Sequence, residues 1–355
     1  MTKPRVAVAM SGGVDSSVAA ALLKDAGHEV IGVYMQLWHE ERSTCSSVRP
    51  VCCSHRDASD ARRVCQLLDI PFYALDFRAQ FQRHVISYFC REYSHGRTPN
   101  PCIACNQQIK FDLLLRQVLS LGAEYLATGH YARIQQTDDD YRLLKGIDSS
   151  NDQSYFLYTL GQGALQRLLF PLGNYRKAQV RSLAAERGFA VADKPKSQDL
   201  CFIPDKRCQD FLKKYVSTKP GNIIDAEGNV LGRHRGMAFY TIGQRTGLGV
   251  AAGRRLYVVA IDAPTNSVVV GSDDQLLASR LVAGDVRFVF GMPKFPTTIR
   301  AKIRYRSPEF DATLQSHEGE VEVLFDKPQR AVTPGQAVVF YRGEQVVGGG
   351  VIEAS

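Results

Sequence analysis

The segment Ser11-Gly12-Gly13-Val14-Asp15-Ser16-Ser17 has the residue types of a phosphate-binding loop. It follows the short run Arg5–Met10 and opens a helical pattern, a position where backbone amides and the helix dipole can hold an anion. Gly12 and Gly13 let the backbone approach oxygens that a Cβ atom would exclude. The loop lacks the lysine of a Walker A motif and the three spaced glycines of a dinucleotide fingerprint. It therefore predicts another kind of phosphate site, with a glycine turn capped by Asp or Ser as the alternative.

Two cysteine segments carry further reactive side chains. Cys102 and Cys105 lie in the Pro-flanked segment 97–106, which the pattern predicts to be a turn before a helix over Ile109–Leu121. A helix N-terminus lowers the pKa of a thiol, so a nucleophilic role for Cys105 would need only a modest shift of its pKa. Cys201 lies in the polar segment 193–203, where composition alone favours a buried structural thiol.

Metal binding is an alternative use of these thiols. Cys102, Cys105 and Cys201 could hold an iron–sulfur cluster with one open iron. Cys102 and Cys105 could also form half of a zinc site. The other half would be Cys52, Cys53 and His55.

Composition limits the class of protein. The chain has 355 residues, of which 45% are hydrophobic and 23% charged, so we expect a globular protein of two or three domains. The 44 Lys and Arg against 36 Asp and Glu give a formal charge of +8, which favours a polyanionic partner. An odd set of nine cysteines, with neither a signal-peptide core nor a membrane-spanning apolar run, indicates the reducing cytoplasm.

Apolar runs and helical patterns alternate over the first 130 residues, which predicts a mainly parallel sheet covered by helices. The strands are predicted at Arg5–Met10, Glu29–Met35, Phe72–Phe77 and Tyr125–Thr128. The helices are predicted at Ser16–Ala26, Ala58–Leu68, Gln80–Tyr93 and Ile109–Leu121. A hairpin over Tyr131–Lys145 and a helix-rich stretch from Gln153 to Gly188 complete the first domain, residues 1–205. Met35, at the carboxyl end of its strand, is either core or adjacent to adenine.

The remaining sequence is β-rich. Residues 206–280 are predicted to form a small β domain, and residues 281–355 a β-barrel of short strands. One strand is predicted at Thr298–Tyr305, and period-two alternation puts the cations of this region on one face as a basic ladder. The ladder consists of Arg300, Lys302, Arg304 and Arg306. It is either a solvated face or a phosphate-tracking surface, and Tyr305 either stacks on a base or fills the core.

Five segments in one order resemble the tRNA-specific 2-thiouridylases of the ATP pyrophosphatase (PP-loop) superfamily. They are the phosphate loop, Asn100–Asn106, Thr128–Arg133, Ser197–Phe202 and Phe239–Gly249. The resemblance runs nearly from end to end. It implies an α/β parallel-sheet N-terminal domain of the adenine nucleotide α-hydrolase-like type, a small β-rich central domain and a C-terminal β-barrel that binds tRNA. It also implies adenylation of the wobble uridine at its 2-carbonyl oxygen, followed by sulfur insertion.

The same resemblance implies roles for individual residues. Cys105 would be the nucleophile, Cys201 would carry the persulfide, and Asp15 would act with Mg²⁺. ATP would be bound by Ala9, Met10, Ser11, Gly12, Gly13, Val14, Asp15, Ser16, Met35 and Gly129. The target base and the tRNA would be contacted by Asn100, Pro101, Cys102, His130, Asn151, Asp152, Gln153, Arg304, Tyr305 and Gln336.

The implied partners are tRNAs with a wobble uridine, namely the Lys, Glu and Gln acceptors, and a cysteine desulfurase or sulfur-relay protein that donates the persulfide. The implied cofactors are ATP and Mg²⁺. Two other functions remain open at this point. One is a ligase or amidotransferase with the same loop that adenylates a small substrate and needs no reactive thiols. The other is a non-catalytic zinc or RNA-binding module.

Overall fold

A computed structural model describes residues 3–38, 55–138, 140–194, 200–203, 208–250, 253–317 and 319–354. The chain divides into two compact units. Unit 1 consists of residues 1–85, 102–206 and 344–346, and unit 2 of residues 86–101, 207–343 and 347–355. Among the described residues, no helix combines the length and apolar character needed to cross a bilayer.

The helices of the described residues are mostly short. In chain order they are α1 (Val14–Asp25), α2 (His55–Leu67), α3 (Arg78–Phe81), α4 (Ser87–Ser94), α5 (Pro101–Ala104), α6 (Leu115–Ser120), α7 (Gln162–Leu165), α8 (Lys177–Glu186) and α9 (Cys208–Tyr215). Two segments have π-helical hydrogen bonding, Gln82–Ile86 and Cys105–Leu114. Single 3₁₀ turns occur at Ser154–Phe156, Pro171–Asn174, Met237–Phe239 and Asp274–Leu276.

The strands differ in length between the two units. In chain order they are β1 (Arg5–Met10), β2 (Glu29–Gln36), β3 (Phe72–Asp76), β4 (Tyr125–Ala127), β5 (Ala132–Gln136), β6 (Tyr141–Lys145), β7 (Leu168–Leu169), β8 (Gly221–Ile224), β9 (Val230–His234), β10 (Tyr257–Asp262), β11 (Ser267–Gly271), β12 (Leu277–Phe288), β13 (Thr297–Lys302), β14 (Phe310–His317), β15 (Glu320–Arg330), β16 (Ala337–Arg342) and β17 (Gln345–Ala354).

Unit 1 is built on a parallel five-stranded sheet of order β3-β2-β1-β4-β7. The central strand β1 is fully buried at Val6, Ala7 and Val8, because its neighbours cover both edges and helices cover the faces. Helices α1 and α8 pack side by side through small residues and valines of the main core. The predicted parallel sheet is confirmed. Parallel strands end at the same edge, so the loop after β1 lies beside the carboxyl ends of β2 and β4.

Two local predictions in unit 1 are wrong. The helix predicted from Ile109 begins at Pro101, since proline is well tolerated in the first turn of a helix, and its first ten residues after α5 have π-helical hydrogen bonding. Cys102 and Cys105 therefore lie within the helix and not in a turn before it. The stretch predicted to be helix-rich consists mostly of single turns and the strand β7, with α8 as its one longer helix among the described residues.

Unit 2 contains two β structures. The first is a four-stranded sheet of order β10-β11-β8-β9. The second is a barrel of six strands in the order β12-β15-β14-β13-β16-β17, closed by pairing of β12 with β17. The predicted barrel is confirmed.

The basic ladder of this barrel extends less far than predicted. Strand β13 ends at Lys302, so Arg304 and Arg306 do not continue its period-two face. Arg300 forms an ion pair with Asp311 at 3.4 Å. Arg304 turns inward and donates to the Ala331 carbonyl oxygen at 2.5 Å. The prediction that four cations share one face of the strand is therefore wrong, because the chain turns after Lys302.

Candidate active site

The loop between β1 and α1 depends on glycine at two positions for different reasons. Gly12 has φ +69°, and a Cβ atom there would lie 2.3 Å from the backbone oxygen of Asp57. At Gly13 an added Cβ would meet only the Ser11 hydroxyl oxygen, at 3.4 Å. Gly12 therefore fits the loop against α2, while Gly13 faces open space where an anion can approach its backbone.

The loop serines mainly bond to the loop itself. The Ser11 amide donates to the Ser16 Oγ at 3.1 Å, and the hydroxyls of Ser16 and Ser17 donate to the Gly13 carbonyl oxygen at 3.2 and 2.9 Å. Ser16 and Ser17 are buried, whereas Ser11 is exposed. The serine hydroxyls and the Ser11 amide thus fix the loop shape, and a ligand would be bound by other backbone amides of the loop.

The residues predicted to complete an adenine nucleotide pocket lie at the same sheet edge. Ala9 and Met35 belong to the paired strands β1 and β2, and Ala9 stays partly accessible although its strand is central. Gly129 follows β4, and a Cβ atom there would lie 2.8 Å from the Asp15 carbonyl carbon and the Ser16 nitrogen. Only glycine allows this approach of the two chain segments. Their roles in binding stay predictions.

Asp15, in the first turn of α1, bonds to two residues that are distant in sequence. Lys177 Nζ lies 2.6 Å from one carboxylate oxygen and 2.7 Å from the other. The Tyr131 hydroxyl donates to Asp15 at 2.7 Å, and Lys177 also lies 5.6 Å from the centre of the Tyr131 ring. Burial, followed by the charge of Asp15, raises the pKa of Tyr131, so this hydroxyl stays a donor at neutral pH.

A second lysine contacts the loop from the other side. Lys194 Nζ donates to the Gly12 carbonyl oxygen at 2.8 Å and forms ion pairs with Asp57 at 2.6 Å and Asp60 at 2.9 Å. Burial lowers the pKa of Lys194, but the hydrogen bonds to these carboxylates outweigh it, and the pKa is raised. Sequence reasoning missed Lys177 and Lys194, because neither lies in a motif near the loop.

Cys105 is 7% exposed and begins the π-helical segment. Burial raises the pKa of its thiol, and the ammonium group of Lys110 partly opposes this. The predicted lowering by a helix N-terminus is wrong, because the thiol lies inside the helix and away from water. A π-helix bonds residues five apart, which places Cys105 and Lys110 on one face, whereas residues five apart on an α-helix diverge.

Lys110 is held beside the thiol by a buried amide. Its Nζ donates to the Asn106 Oδ1 at 2.9 Å, and Asn106 donates through its Nδ2 to the Phe156 carbonyl oxygen at 3.1 Å. Lys110 also lowers the pKa of His130, for which burial is the larger cause. Sequence reasoning missed Lys110, although its spacing of five from Cys105 would have been a signal if a π-helix had been expected.

Cys201 lies half-buried in a turn closed by the bond from the Ile203 amide to the Leu200 carbonyl oxygen, 2.9 Å. The next residue, Phe202, packs edge-on against Phe81 at 5.8 Å. Ser197, Gln198 and Asp199 of the same motif lie outside the described residues.

Neither metal alternative gains support from the donor geometry. Cys102, exposed at the surface, Cys105 and Cys201 are all described, yet the described residues contain no group of three His, Cys, Asp or Glu side chains placed to bind a metal. Cys52 and Cys53 of the zinc alternative lie outside the described part of the chain.

The tRNA-binding residues predicted in unit 1 are engaged within that unit. The His130 ring lies 5.7 and 5.9 Å from the rings of Phe111 and Phe170. Asn151 donates to Asp148 at 2.9 Å. Gln153 accepts a hydrogen bond from the Tyr131 amide at 3.0 Å. Asp152 is buried and accepts three hydrogen bonds. Their contacts with RNA stay predictions.

Two of the predicted tRNA-binding residues in unit 2, Arg304 and Gln336, line one cavity. Gln336 donates through Nε2 to the Thr98 carbonyl oxygen at 2.8 Å, which holds the segment leading to Asn100 and the buried Pro101. The ammonium group of Lys302 lies 5.8 Å from the centre of the Tyr305 ring. The cavity, about 380 Å³, is lined by Thr98, Thr241, Ile242, Gly243, Gln244, Arg304, Thr333 and Gln336. The motif around Thr241 therefore forms part of its wall.

A parallel sheet whose first strand runs into a Ser-Gly-Gly loop and a helix defines an α/β nucleotide-binding domain. The family described as the tRNA methyl transferase HUP domain matches residues 4–205. The tRNA methyl transferase PRC-barrel domain matches residues 209–272, and the aminomethyltransferase beta-barrel domain matches residues 278–352.

Full-length relatives narrow this class further. The chain is 50% identical over 358 residues to a tRNA-specific 2-thiouridylase MnmA of Carboxydothermus hydrogenoformans, covering 99% of this chain and 98% of the relative. It is 48% identical over 361 residues to the protein of the same name from Clostridium botulinum, covering 100% of this chain and 99% of the relative. The chain belongs to the tRNA-specific 2-thiouridylase family.

Proposed function

We propose that this protein replaces the 2-carbonyl oxygen of the wobble uridine, position 34 of tRNA, with sulfur in an ATP-dependent reaction. The observation that carries the proposal is that one compact unit holds both the Ser-Gly-Gly loop at the end of β1 and a buried thiol, Cys105, whose pKa is raised by burial and lowered in part by the charge of Lys110. Family membership over the whole length supports the same reaction.

The first step activates an oxygen that is a poor leaving group. The uridine O2 attacks the α-phosphorus of ATP, the bond to the bridging oxygen breaks, and pyrophosphate departs. The backbone around Gly13 binds the phosphates, while Ala9, Met35 and Gly129 line the place of the nucleoside. Amides fixed before the reaction stabilise the charge that develops on the phosphate oxygens.

Mg²⁺ fits the residues at the loop through Asp15. This carboxylate is 33% exposed, so it can be reached by a cation that is also bound by phosphate oxygens, as is usual for Mg²⁺. When bound, Mg²⁺ would neutralise charge on the phosphates. An iron–sulfur cluster does not fit the described donor geometry, and we derive no step through one.

The second step transfers sulfur. The terminal sulfur of a Cys201 persulfide attacks C2 of the activated uridine, and AMP leaves. The Cys105 thiolate then attacks the Cys201 sulfur, which releases 2-thiouridine and forms a Cys105–Cys201 disulfide that a thiol reductant must open before the next turnover. Lys110 stabilises the Cys105 thiolate, because its positive charge opposes the effect of burial.

Several finer assignments complete the proposal. Residues 1–205 would carry the chemistry, residues 206–280 would form the central domain, and the barrel of residues 281–355 would bind tRNA with Arg304, Tyr305 and Gln336. The tRNA substrates would be the Lys, Glu and Gln acceptors, and the persulfide would come from a cysteine desulfurase or a relay protein. The reaction would take place in the cytoplasm.

Thiolation of an unmodified tRNA transcript tests the proposal. The protein is incubated with ATP, Mg²⁺ and a persulfide donor, and 2-thiouridine, AMP and pyrophosphate are measured. Cys105→Ala and Cys201→Ala are expected to abolish thiolation, and Cys208→Ala serves as the control thiol. ATP cleavage and product formation that do not depend on Cys105 or Cys201 would favour a ligase that adenylates a small substrate.

Two of the matching families are described as tRNA methyl transferase domains. A second assay therefore tests for methyl transfer. The same tRNA is incubated with labelled S-adenosylmethionine in place of ATP and the sulfur donor. We expect no methyl incorporation, because the loop geometry suits a pyrophosphate-releasing reaction. Methylated tRNA without thiolated tRNA would refute the proposed function.

A further inference from the structure

We infer that Lys177 is the residue that binds the β- and γ-phosphates of ATP and the departing pyrophosphate. It does so by exchanging its partner Asp15 for the anion. The inference rests on the proposed function only in so far as that function requires a nucleoside triphosphate at the loop. Its ligand class is inorganic pyrophosphate and the triphosphate end of a nucleotide.

The loop itself lacks a cation for this task. A Walker A loop has its own lysine at the terminal phosphates, and residues Ser11 to Ser17 contain none. Two lysines from elsewhere in unit 1, Lys177 and Lys194, contact the loop region instead. Backbone amides do not neutralise a highly charged anion, so we expect one of these two lysines to bind it.

Lys194 is already bound by other groups of the protein. It lies between two carboxylates and the Gly12 carbonyl oxygen, and one of these carboxylates, Asp57, is 5% exposed. Withdrawing the ammonium group would break its ion pair with the buried Asp57 carboxylate, which is costly. Lys194 therefore stabilises the loop from behind and is not available to the ligand.

Lys177 has a different environment. Its ammonium group is paired one to one with Asp15, which is a third exposed, while Lys177 itself is 15% exposed. The Tyr131 hydroxyl holds Asp15 independently, so the carboxylate keeps a hydrogen bond when the lysine leaves. The Lys177–Asp15 pair can therefore open at little structural cost.

The backbone of Lys177 is held in place by hydrogen bonds at the start of α8. Lys177 is the first residue of α8, and its amide donates to Asp148 at 2.8 Å. The preceding Arg176 amide donates to the Gln179 side chain at 2.8 Å, which closes the first turn. Only the flexible lysine side chain has to move for the exchange.

The exchange also gives a physical reason for the contact between Asp15 and Lys177. A bare Asp15 would repel an incoming phosphate, and a bare Lys177 would lie half-buried without a counter-charge. When Mg²⁺ neutralises Asp15, the same lysine becomes available to the anion. We therefore expect pyrophosphate and Mg²⁺ to bind cooperatively, with the Lys177–Asp15 pair as the element that both open.

Calorimetric titration of the full-length protein tests this inference without tRNA or a sulfur donor. Inorganic pyrophosphate and adenosine are titrated separately, each with and without Mg²⁺. The variants are Lys177→Gln, Lys177→Arg and Asp15→Asn. The control is Lys213→Gln, because Lys213 forms a comparable one-to-one pair with Asp210 on an exposed helix surface.

Lys177→Gln is expected to weaken pyrophosphate binding about 10- to 100-fold, the effect of losing a hydrogen bond to a charged group. Lys177→Arg is expected to retain most of the affinity. Adenosine affinity should be unchanged in both variants. Asp15→Asn should bind pyrophosphate more tightly than the unmodified protein when Mg²⁺ is absent, because the competing carboxylate is gone, and should lose the gain that Mg²⁺ gives.

Unchanged pyrophosphate affinity in Lys177→Gln would overturn the inference. An equal loss of adenosine and pyrophosphate affinity would also overturn it, since Lys177 would then only support the pocket. So would an Asp15→Asn variant that gains nothing without Mg²⁺. A protein that binds pyrophosphate through Lys177 but never thiolates tRNA would refute the proposed function and leave this inference standing.

Discussion

Replacing Asp152 by alanine separates two roles for this residue. The family resemblance implies a contact with tRNA, whereas in the structure Asp152 is 8% exposed. Its Oδ1 accepts hydrogen bonds from the amides of Gly146 at 2.9 Å and Ser154 at 3.1 Å, and its Oδ2 accepts one from the Ser154 hydroxyl at 2.8 Å. We expect Asp152→Ala to act through the stability of unit 1.

The magnitude follows from the donors that lose their acceptor. Two backbone amides in a buried site would be left without a partner, at about 1 to 3 kcal/mol each. The Ser154 hydroxyl can rotate to another acceptor and adds little. A total of about 3 kcal/mol would lower the melting temperature by roughly 6 to 12 °C for a domain of about 200 residues.

Asp152→Asn is the matched control. The asparagine Oδ1 can still accept from both amides, and the Ser154 hydroxyl can turn to accept from the new Nδ2. We expect a smaller loss of stability than for alanine. Scanning calorimetry of the full-length variants measures the melting temperature, and tRNA dissociation constants are determined well below it.

The reasoning is refuted if Asp152→Ala has the same melting temperature as the unmodified protein and yet binds tRNA more weakly. That result would mean that the carboxylate faces RNA and that its internal hydrogen bonds are dispensable. A lower melting temperature with unchanged tRNA affinity of the folded protein agrees with a structural role.

Three further outcomes are expected. Gly12→Ala should weaken ATP binding at least 10-fold by calorimetry, because a positive φ costs about 1 to 2 kcal/mol and the Cβ atom meets α2; full affinity would contradict the loop geometry. Lys110→Gln removes a charge that lowers the pKa of Cys105, so the pH midpoint for Cys105 alkylation, followed by peptide mass spectrometry, should move upward; a downward or absent shift would show that Lys110 does not act on the thiol. Arg300→Gln should flatten the salt dependence of tRNA binding by less than about one unit, because Asp311 already shares its charge; a full unit would mean that the ion pair opens on RNA.

Local pattern was sufficient to predict the scaffold of the site. The strand β1, the loop after it and the start of α1 are consecutive in sequence, so apolar alternation and glycine placement predict them together. The parallel arrangement of β1, β2 and β4 follows from the alternation of strands and helices, which leaves few other topologies. Gly129, reached through β4, approaches α1 for the same topological reason.

The charges around the loop could not be predicted in this way. Lys177 begins α8, and Lys194 follows the same helix, so both are about 160 or more residues away from the loop. Their positions depend on how α8 packs against α1, which local periodicity does not specify. A sequence motif names the residues that touch a ligand in one stretch, and it does not show which distant cations are brought to that stretch by folding.

The prediction of a turn around Cys102 and Cys105 is wrong for a different reason. Prolines at 99 and 101 indicate a turn, yet proline at the first helical position is equally compatible with a helix start. Once the helix begins at Pro101, Cys105 is inside it and becomes buried. The π-helical hydrogen bonding of Cys105–Leu114 has no clear signature in residue propensity, so the relation of Cys105 to Lys110 appears only in the structure.

Lys110, Lys177 and Lys194 of unit 1 differ in the partners that hold them, and this difference separates their chemistry. Lys177 and Lys194 lie against carboxylates, which largely cancel the charge of their ammonium groups. Lys110 is held instead by the neutral amide of Asn106, which positions the ammonium group without cancelling its charge. A buried thiolate at Cys105 gains from a cation only if that cation is not already neutralised. The amide at Asn106 is therefore the partner that keeps Lys110 effective, and an acidic residue there would remove its influence on the thiol.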